Sequence, residues 1–213
     1  PDEMVSRIIS CAIENGQTDI AMKLIEVSPD QLNVVDKDGN TPLHYAIRHV
    51  QPDIALKLIE RLQSSPDQLN LVDKEGNTPL HLAIEKDQAN VAMKLIESLK
   101  ESPDQVNVEN KCRDTPLHFA INKKQTDIAM KLIENLQASP DQLNVLDKYG
   151  YTPLHCAIRY DGQTEVAMKL IECLKASPDQ LSVQNDFRET PLYFAIRHGQ
   201  TEVAMTLIEC LKA

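Results

Sequence analysis

Tryptophan is absent from this chain and phenylalanine occurs only three times in 213 residues, so the core cannot be organised around large rings. Leu, Ile, Val, Ala and Met must supply it, the usual material of short packed helices. No apolar stretch approaches the roughly 18 residues of a membrane-spanning helix, and no charged-then-apolar leader precedes the first periodic segment, so a soluble chain is expected. Glycine-rich phosphate loops and nucleophile elbows are missing, which removes the commonest signs of nucleotide chemistry and of acyl transfer. The five cysteines, Cys11, Cys112, Cys156, Cys173 and Cys210, have none of the close spacings that hold zinc or form a redox pair. They read as reduced thiols of an intracellular, most simply cytoplasmic, protein. Positive charge is also scarce, with 22 basic against 32 acidic residues and a net of −10. A field of that sign repels phosphate backbones, so nucleic acid is excluded as a partner while a basic protein segment is admitted.

What the chain does have is repetition. Thr-Pro-Leu-His occurs at Thr41, Thr78, Thr115 and Thr152 and returns as Thr-Pro-Leu-Tyr at Thr190, in steps of 37, 37, 37 and 38 residues. A period of this size means stacked units that bury their apolar faces against one another. Each copy runs T-P-L-H-x-A-I, a turn, an apolar run ending in L-I-E, then S-P-D-Q-L-N. An earlier copy matches at Ala12, Ile13, Asp19, Ile20, Ala21, Leu24 and Ile25 without the Thr-Pro-Leu-His. No linker or low-complexity tract interrupts the series. A single domain over 1–213 is expected, in six units of about 1–33, 34–70, 71–107, 108–144, 145–182 and 183–213.

Start signals resolve each unit into helices. Thr41 before Pro42 is an N-cap followed by proline at the first helical position, where a missing N–H costs nothing. A short helix over 42–48 follows, with Leu43, Ala46 and Ile47 inward. A second begins near Pro52, carries Asp53 in its first turn, and sets Ile54, Ala55, Leu58, Ile59 and Leu62 on one stripe. Ser65-Pro66-Asp67-Gln68 repeats the grammar and predicts a further helical turn closed by a capping box, as at Ser28, Ser102, Ser139 and Ser177. The chain then runs out through a turn at Asp73–Asn77, with Gly76 free to take positive φ.

The pattern D-x-x-G-x-T-P-L-H-x-A, at Asp36 to Ala46, Asp73 to Ala83 and Asp147 to Ala157, resembles the ankyrin repeat. The resemblance covers nearly the whole chain. It implies an all-α solenoid of helix-turn-helix units with projecting fingers, whose fingers and first helices form a concave surface for a protein partner, and no intrinsic enzymatic activity. It also implies that the histidine of the motif bonds to the neighbouring finger. Two departures stand out. Leu62, Leu99, Leu136, Leu174 and Leu211 lengthen the second helix by a turn. Arg113 and Arg188 replace the finger glycine, while Val50, Asp87 and Lys124 replace the glycine between the helices. A left-handed L-residue costs about 1–2 kcal/mol, so either these turns change shape or local stability is lost.

Apparent chemical sites have simpler explanations. Asp36, Asp38 and Asn40 imitate the start of a calcium loop, but the glycine is misplaced and Ile47 stands where the bidentate Glu belongs. His44, His81, His118 and His155 lie about 10 Å apart in stacked units, too far to share a metal. Cys112 has no histidine in its own finger to activate it. No catalytic residue, cofactor or metal is therefore expected. Specificity belongs to the positions that vary between copies, and here the last two units are distinctive. Tyr149, Tyr151, Tyr160 and Phe187, half of the eight aromatics, lie beside Arg159, Arg188, Arg197 and His198. Tyr and Arg are enriched in interface hot spots. The expected function is protein–protein interaction through units 5 and 6. The competing expectation is a targeting or autoinhibitory segment of a larger enzyme, such as an ankyrin-bearing bacterial effector. Unit 6 keeps the interior stripe Val203, Ala204, Leu207, Ile208 and Leu211, so a truncated array or a self-associating end is expected.

Overall fold

The computed structural model describes residues 2–28, 31–160 and 162–212. Among them all regular structure is helical. The chain divides into two compact halves, Pro1–Lys111 and Cys112–Ala213, with the boundary in the finger of repeat 4. In the N-terminal half the first helices Asp2–Glu14, Pro42–Arg48 and Pro79–Glu85 pack in series, and behind them the second helices Thr18–Val27, Pro52–Leu62 and Ala89–Leu99 do the same. The C-terminal half repeats the arrangement with Pro116–Asn122, Pro153–Arg159 and Pro191–Arg197 in front and Thr126–Leu136, Thr164–Leu174 and Thr201–Lys212 behind. No described helix is long and apolar enough to cross a membrane.

The expected inward positions are the core. Leu43, Ala46, Ile47, Ile54, Ala55, Leu58 and Ile59 are fully buried, as are their counterparts in repeats 3 to 5. The added turn of the second helix is buried too, at Leu62, Leu99, Leu136 and Leu174. The Ser-Pro-Asp-Gln segments form single turns at Pro66–Leu69, Pro103–Val106 and Pro178–Leu181, and a 3₁₀ turn at Pro140–Asn144. Their capping boxes do not form: none of Ser65, Ser102, Ser139 and Ser177 makes a side-chain cap bond. Each Ser carbonyl instead accepts the N–H three residues on, at 2.9 Å in all four. The glutamine turns outward, and Gln105 and Gln180 donate to Asp67 and Asp141 in the preceding repeat's turn. In the turn expected at Ser28, Pro29 and Asp30 lie outside the described residues.

The glycine replacements keep the turns and accept the strain. Val50, Asp87 and Lys124 lie at φ 53°, 55° and 58°, and the finger residues Arg113 and Arg188 at 60° and 62°. After the first helix of repeat 2, the N–H of Gln51 bonds to Ala46 O at 2.9 Å and that of Val50 to Ile47 O at 3.1 Å, the paired bonds of a Schellman motif. Repeats 3 and 4 form the same pair. The side chain of the following glutamine adds a tie to the repeat before: Gln51 Nε2 donates to Ile13 O at 2.7 Å and Gln88 Nε2 to Ile47 O at 2.6 Å. Three hydrogen bonds thus hold a conformation that the residue itself disfavours. Glycine at Val50 relieves that strain but adds freedom to the unfolded chain, so Val50→Gly is expected to stabilise the protein by about 0.5–1 kcal/mol net. Chemical denaturation of the two proteins measures this, and a loss of stability contradicts it.

Candidate functional site

The fingers are built on an Asx residue. Asp36 Oδ1 accepts the backbone N–H groups of Asp38 and Asn40 at 2.8 Å each, and Asp73 does the same for Glu75 and Asn77. Asp147 holds Tyr149 and Tyr151, and Asn185 holds Phe187 and Glu189. Asp36 also takes a bond from the Tyr45 hydroxyl at 2.6 Å, so the acidic group that imitates a calcium loop serves the turn. Adjacent fingers bond through their backbones, from Lys74 N to Asp38 O, Lys111 N to Glu75 O and Asp186 N to Tyr149 O. The glycines allow this approach: a Cβ at Gly39 would stand 2.7 Å from Val72 O.

In repeats 2, 4 and 5 the motif histidine ties a helix start to the next finger. Thr41 Oγ1 accepts from His44 N, and His44 Nδ1 accepts from Thr41 N at 3.1 Å, a capping box with histidine in the place of the usual Glu. Because Nδ1 accepts, Nε2 carries the proton, and it donates to Asn77 O at 3.4 Å. His118 reaches Tyr151 O at 3.2 Å and His155 reaches Glu189 O at 3.1 Å in the same way. Both nitrogens are engaged, which leaves none for a metal. Burial holds all three imidazoles neutral, with pKa values lowered to about 4.

In repeats 5 and 6 the fingers and first helices bring aromatic rings together around Tyr151. Its ring lies 6.4 Å from Tyr149, 6.3 Å from Phe187, 5.5 Å from Phe194 and 5.9 Å from His155. The guanidinium of Arg159 sits 5.9 Å over Tyr151 and 5.7 Å over Tyr160, within cation–π range. Lys148 covers Tyr149 at 4.9 Å. Tyr160 follows its helix in extended conformation, φ −101° and ψ 121°, and so departs from the Schellman closure of repeats 2 to 4. The turn Tyr160-Asp161-Gly162 is one residue longer than its counterparts, and Asp161 lies outside the described residues. Phe187 is 64% exposed and Tyr149 50%, although each packs on a neighbouring ring.

Of the residues expected here, Tyr149, Tyr151, Arg159, Tyr160 and Phe187 form one cluster. His198 joins it through Phe194, at 5.2 Å. Arg197 is bound to Glu189 at 2.6 Å, so its charge is already matched. Arg188 stands apart, contributing a left-handed backbone and a turn bond from its N–H to Asn185 O. Sequence reasoning missed Phe194, which occupies a helix position equivalent to Tyr45 and Phe119. The signal was present in the register: position 194 is on the same helix face as His198 and one turn before it.

A sequence-family model described as ankyrin repeats (3 copies) matches residues 9–105, 55–137 and 92–182. The chain belongs to the ankyrin-repeat family. Its all-helical solenoid fold is similar to that of EF0377, an ankyrin repeat protein, with a TM-score of 0.74 and 21% identity over 94% of this chain and 96% of that one. It is also similar to a chain in the complex of Bd0816, a predatory endopeptidase from Bdellovibrio bacteriovorus, with the immunity protein Bd3460, with a TM-score of 0.67 and 24% identity over 94% and 96%. No curated protein matches the chain. Ankyrin repeats generally mediate protein–protein interaction, and the fold is typically a non-enzymatic interaction module.

The buried histidines make the repeat stack sensitive to acid. Their folded pKa lies near 4 against an ordinary 6.5, so the unfolded chain binds more protons between those values. The stability they contribute is full above pH 6.5 and is lost as the pH falls toward 4. Each is expected to cost about 2 kcal/mol between pH 7 and 5. Urea denaturation across that range checks the slope, and His118→Gln should reduce the total change by about 2 kcal/mol. An unchanged slope in the variant would show that the imidazole is not the titrating group.

Proposed function

We propose that the chain is a protein-binding module whose partner is held on the finger and first-helix face of repeats 5 and 6. The observation that carries this reading is the ring cluster around Tyr151, with Tyr149 and Phe187 exposed and Arg159 stacked on it. Rigid aromatic side chains with a guanidinium beside them concentrate binding energy, because they bury large area and lose little rotamer freedom. The similar chain found in an endopeptidase–immunity protein complex supports binding as the use of such a fold. Other fingers offer a contrast: in repeat 3, Lys74 pairs with Asp38 across 3.7 Å in an exposed setting, the character of an interface rim.

The test replaces tips one at a time and measures affinity by calorimetry for the partner recovered by photocrosslinking from position 187. At least one of Tyr149→Ala, Tyr160→Ala, Phe187→Ala and Arg159→Ala should lose about 2 kcal/mol or more, and Lys74→Ala or Glu75→Ala less than about 1 kcal/mol. Tyr151→Ala is a poor probe, since the ring also packs on Phe194 and His155 and the change will cost stability. Silence at all four tips with losses at Lys74 or Glu75 would move the site to another repeat.

We also propose that a second copy of the chain covers the outer face of repeat 6. Tyr193 and Ile196 are 53% and 65% exposed, whereas His155 and Ile158 at the same places in repeat 5 are fully buried. Tyrosine there has replaced the histidine that reaches a following finger, so the face offers apolar contact without that hydrogen bond. Sedimentation over a concentration series should detect a dimer that Ile196→Asp abolishes, and a monomer at every concentration overturns the proposal.

A further inference from the structure

Arg159 has an internal control. Arg48 ends the first helix of repeat 2 as Arg159 ends that of repeat 5, and it forms an ion pair with Asp73, the Asx residue of the next finger, whose side chain is 1% exposed. One carboxylate oxygen of Asp73 holds the finger turn and the other holds the arginine. The residue that stands in the place of Asp73 in this register is Asn185. Its Oδ1 keeps the turn, accepting from Phe187 and Glu189 at 2.9 Å each. Where Asp73 has its second oxygen, however, Asn185 has an NH₂, which donates to Glu189 Oε2 at 3.1 Å. An amide N–H cannot accept from a guanidinium. Glu189 is in turn taken by Arg197, and Asp147 is buried in its own finger turn. Arg159 is therefore exposed, oriented by Tyr151 and Tyr160, and in no ion pair among the described residues.

We infer that Arg159 is the anchor for an Asp or Glu side chain in a partner peptide segment, with an adjacent apolar side chain of that segment lying on Phe187 and Tyr149. This rests on the reading that the face of repeats 5 and 6 binds protein, and it adds the chemistry of what is bound. A planar guanidinium presents paired donors to a carboxylate, and rings on its flanks reduce the freedom lost when the pair forms. The net charge of −10 belongs to the whole chain. At this spot two of the nearest acids, Asp147 and Glu189, are engaged within the scaffold.

The probe is a peptide selected from displayed random dodecamers against the full chain, then synthesised with its acid as Asp or as Asn and titrated calorimetrically. The selected peptides should share an Asp or Glu beside an apolar residue. The Asn form should bind about tenfold more weakly to the native chain and equally well to Arg159→Gln. Asn185→Asp offers Arg159 the internal carboxylate that Asp73 supplies to Arg48, so it should weaken the acidic peptide about tenfold; it also loses the amide bond to Glu189, so its folding is checked by thermal denaturation and a modest loss of stability is expected. Binders that depend on Phe187 but carry no acid, or ignore both Arg159→Gln and Asn185→Asp, overturn this inference and leave the binding face intact. A selection that yields no binder sensitive to Phe187→Ala overturns both.

Discussion

The stacking of repeats 2, 4 and 5 depends on a neutral imidazole in each. In His44, His118 and His155 a single ring closes the first turn of its own helix through Nδ1 and fastens the next finger through Nε2. These two bonds demand one acceptor and one donor, which is what a neutral ring provides and a protonated ring does not. Burial secures that state, because the low dielectric of the core disfavours the cation. Local cap and long-range stacking are therefore one interaction, and the Thr-Pro-Leu-His motif is at once a helix signal and an assembly signal. Repeat 6 separates the two. Thr190 still accepts from Tyr193 N at 3.3 Å, so the helix starts as before, but the ring nitrogen that would reach onward is gone.

Helix starts were legible in the sequence because their causes are local. Thr-Pro at 41 and 78 fixes where a first helix begins, and the stripe ending at Leu62 or Leu99 fixes where a second one stops. The serine caps were misread for a related reason. Ser-Pro-Asp-Gln satisfies the capping grammar, but a single turn needs only the backbone bond from residue three to the serine carbonyl. The glutamines that tie one repeat to the previous one had no local signature at all. For Gln51 and Gln88 the partners lie 38 and 41 residues away, and only the recurrence of glutamine at that place in the sequence marked them.

The left-handed residues show a balance that composition alone cannot settle. At Val50 the backbone penalty is of order 1–2 kcal/mol, while two Schellman bonds and a glutamine tie depend on keeping the turn. Changing its shape would leave those donors and acceptors without partners, at about 1–3 kcal/mol for each buried group. The turn therefore wins over the residue. In repeat 5 the chain leaves the helix at Tyr160 in extended form, and the ring of Tyr160 lies beside Arg159.

Exposed aromatics at fingers 5 and 6 could be read as candidates because fingers vary while the scaffold recurs, but which tip side chains meet across two fingers has no local signature. That follows from how the finger is made. The Asx oxygen holds backbone N–H groups, so the tip side chains at 149 and 187 are indifferent to folding and can change freely. Tyr151 is the exception, since its carbonyl receives His118 and its ring packs on Phe194 and His155. Asn185 carries the same lesson at higher resolution. Aspartate and asparagine serve the turn equally, so the scaffold does not distinguish them. They differ in the second atom, an oxygen that takes Arg48 at Asp73 and an NH₂ that donates to Glu189 at Asn185, and that one atom decides whether the arginine is matched from within.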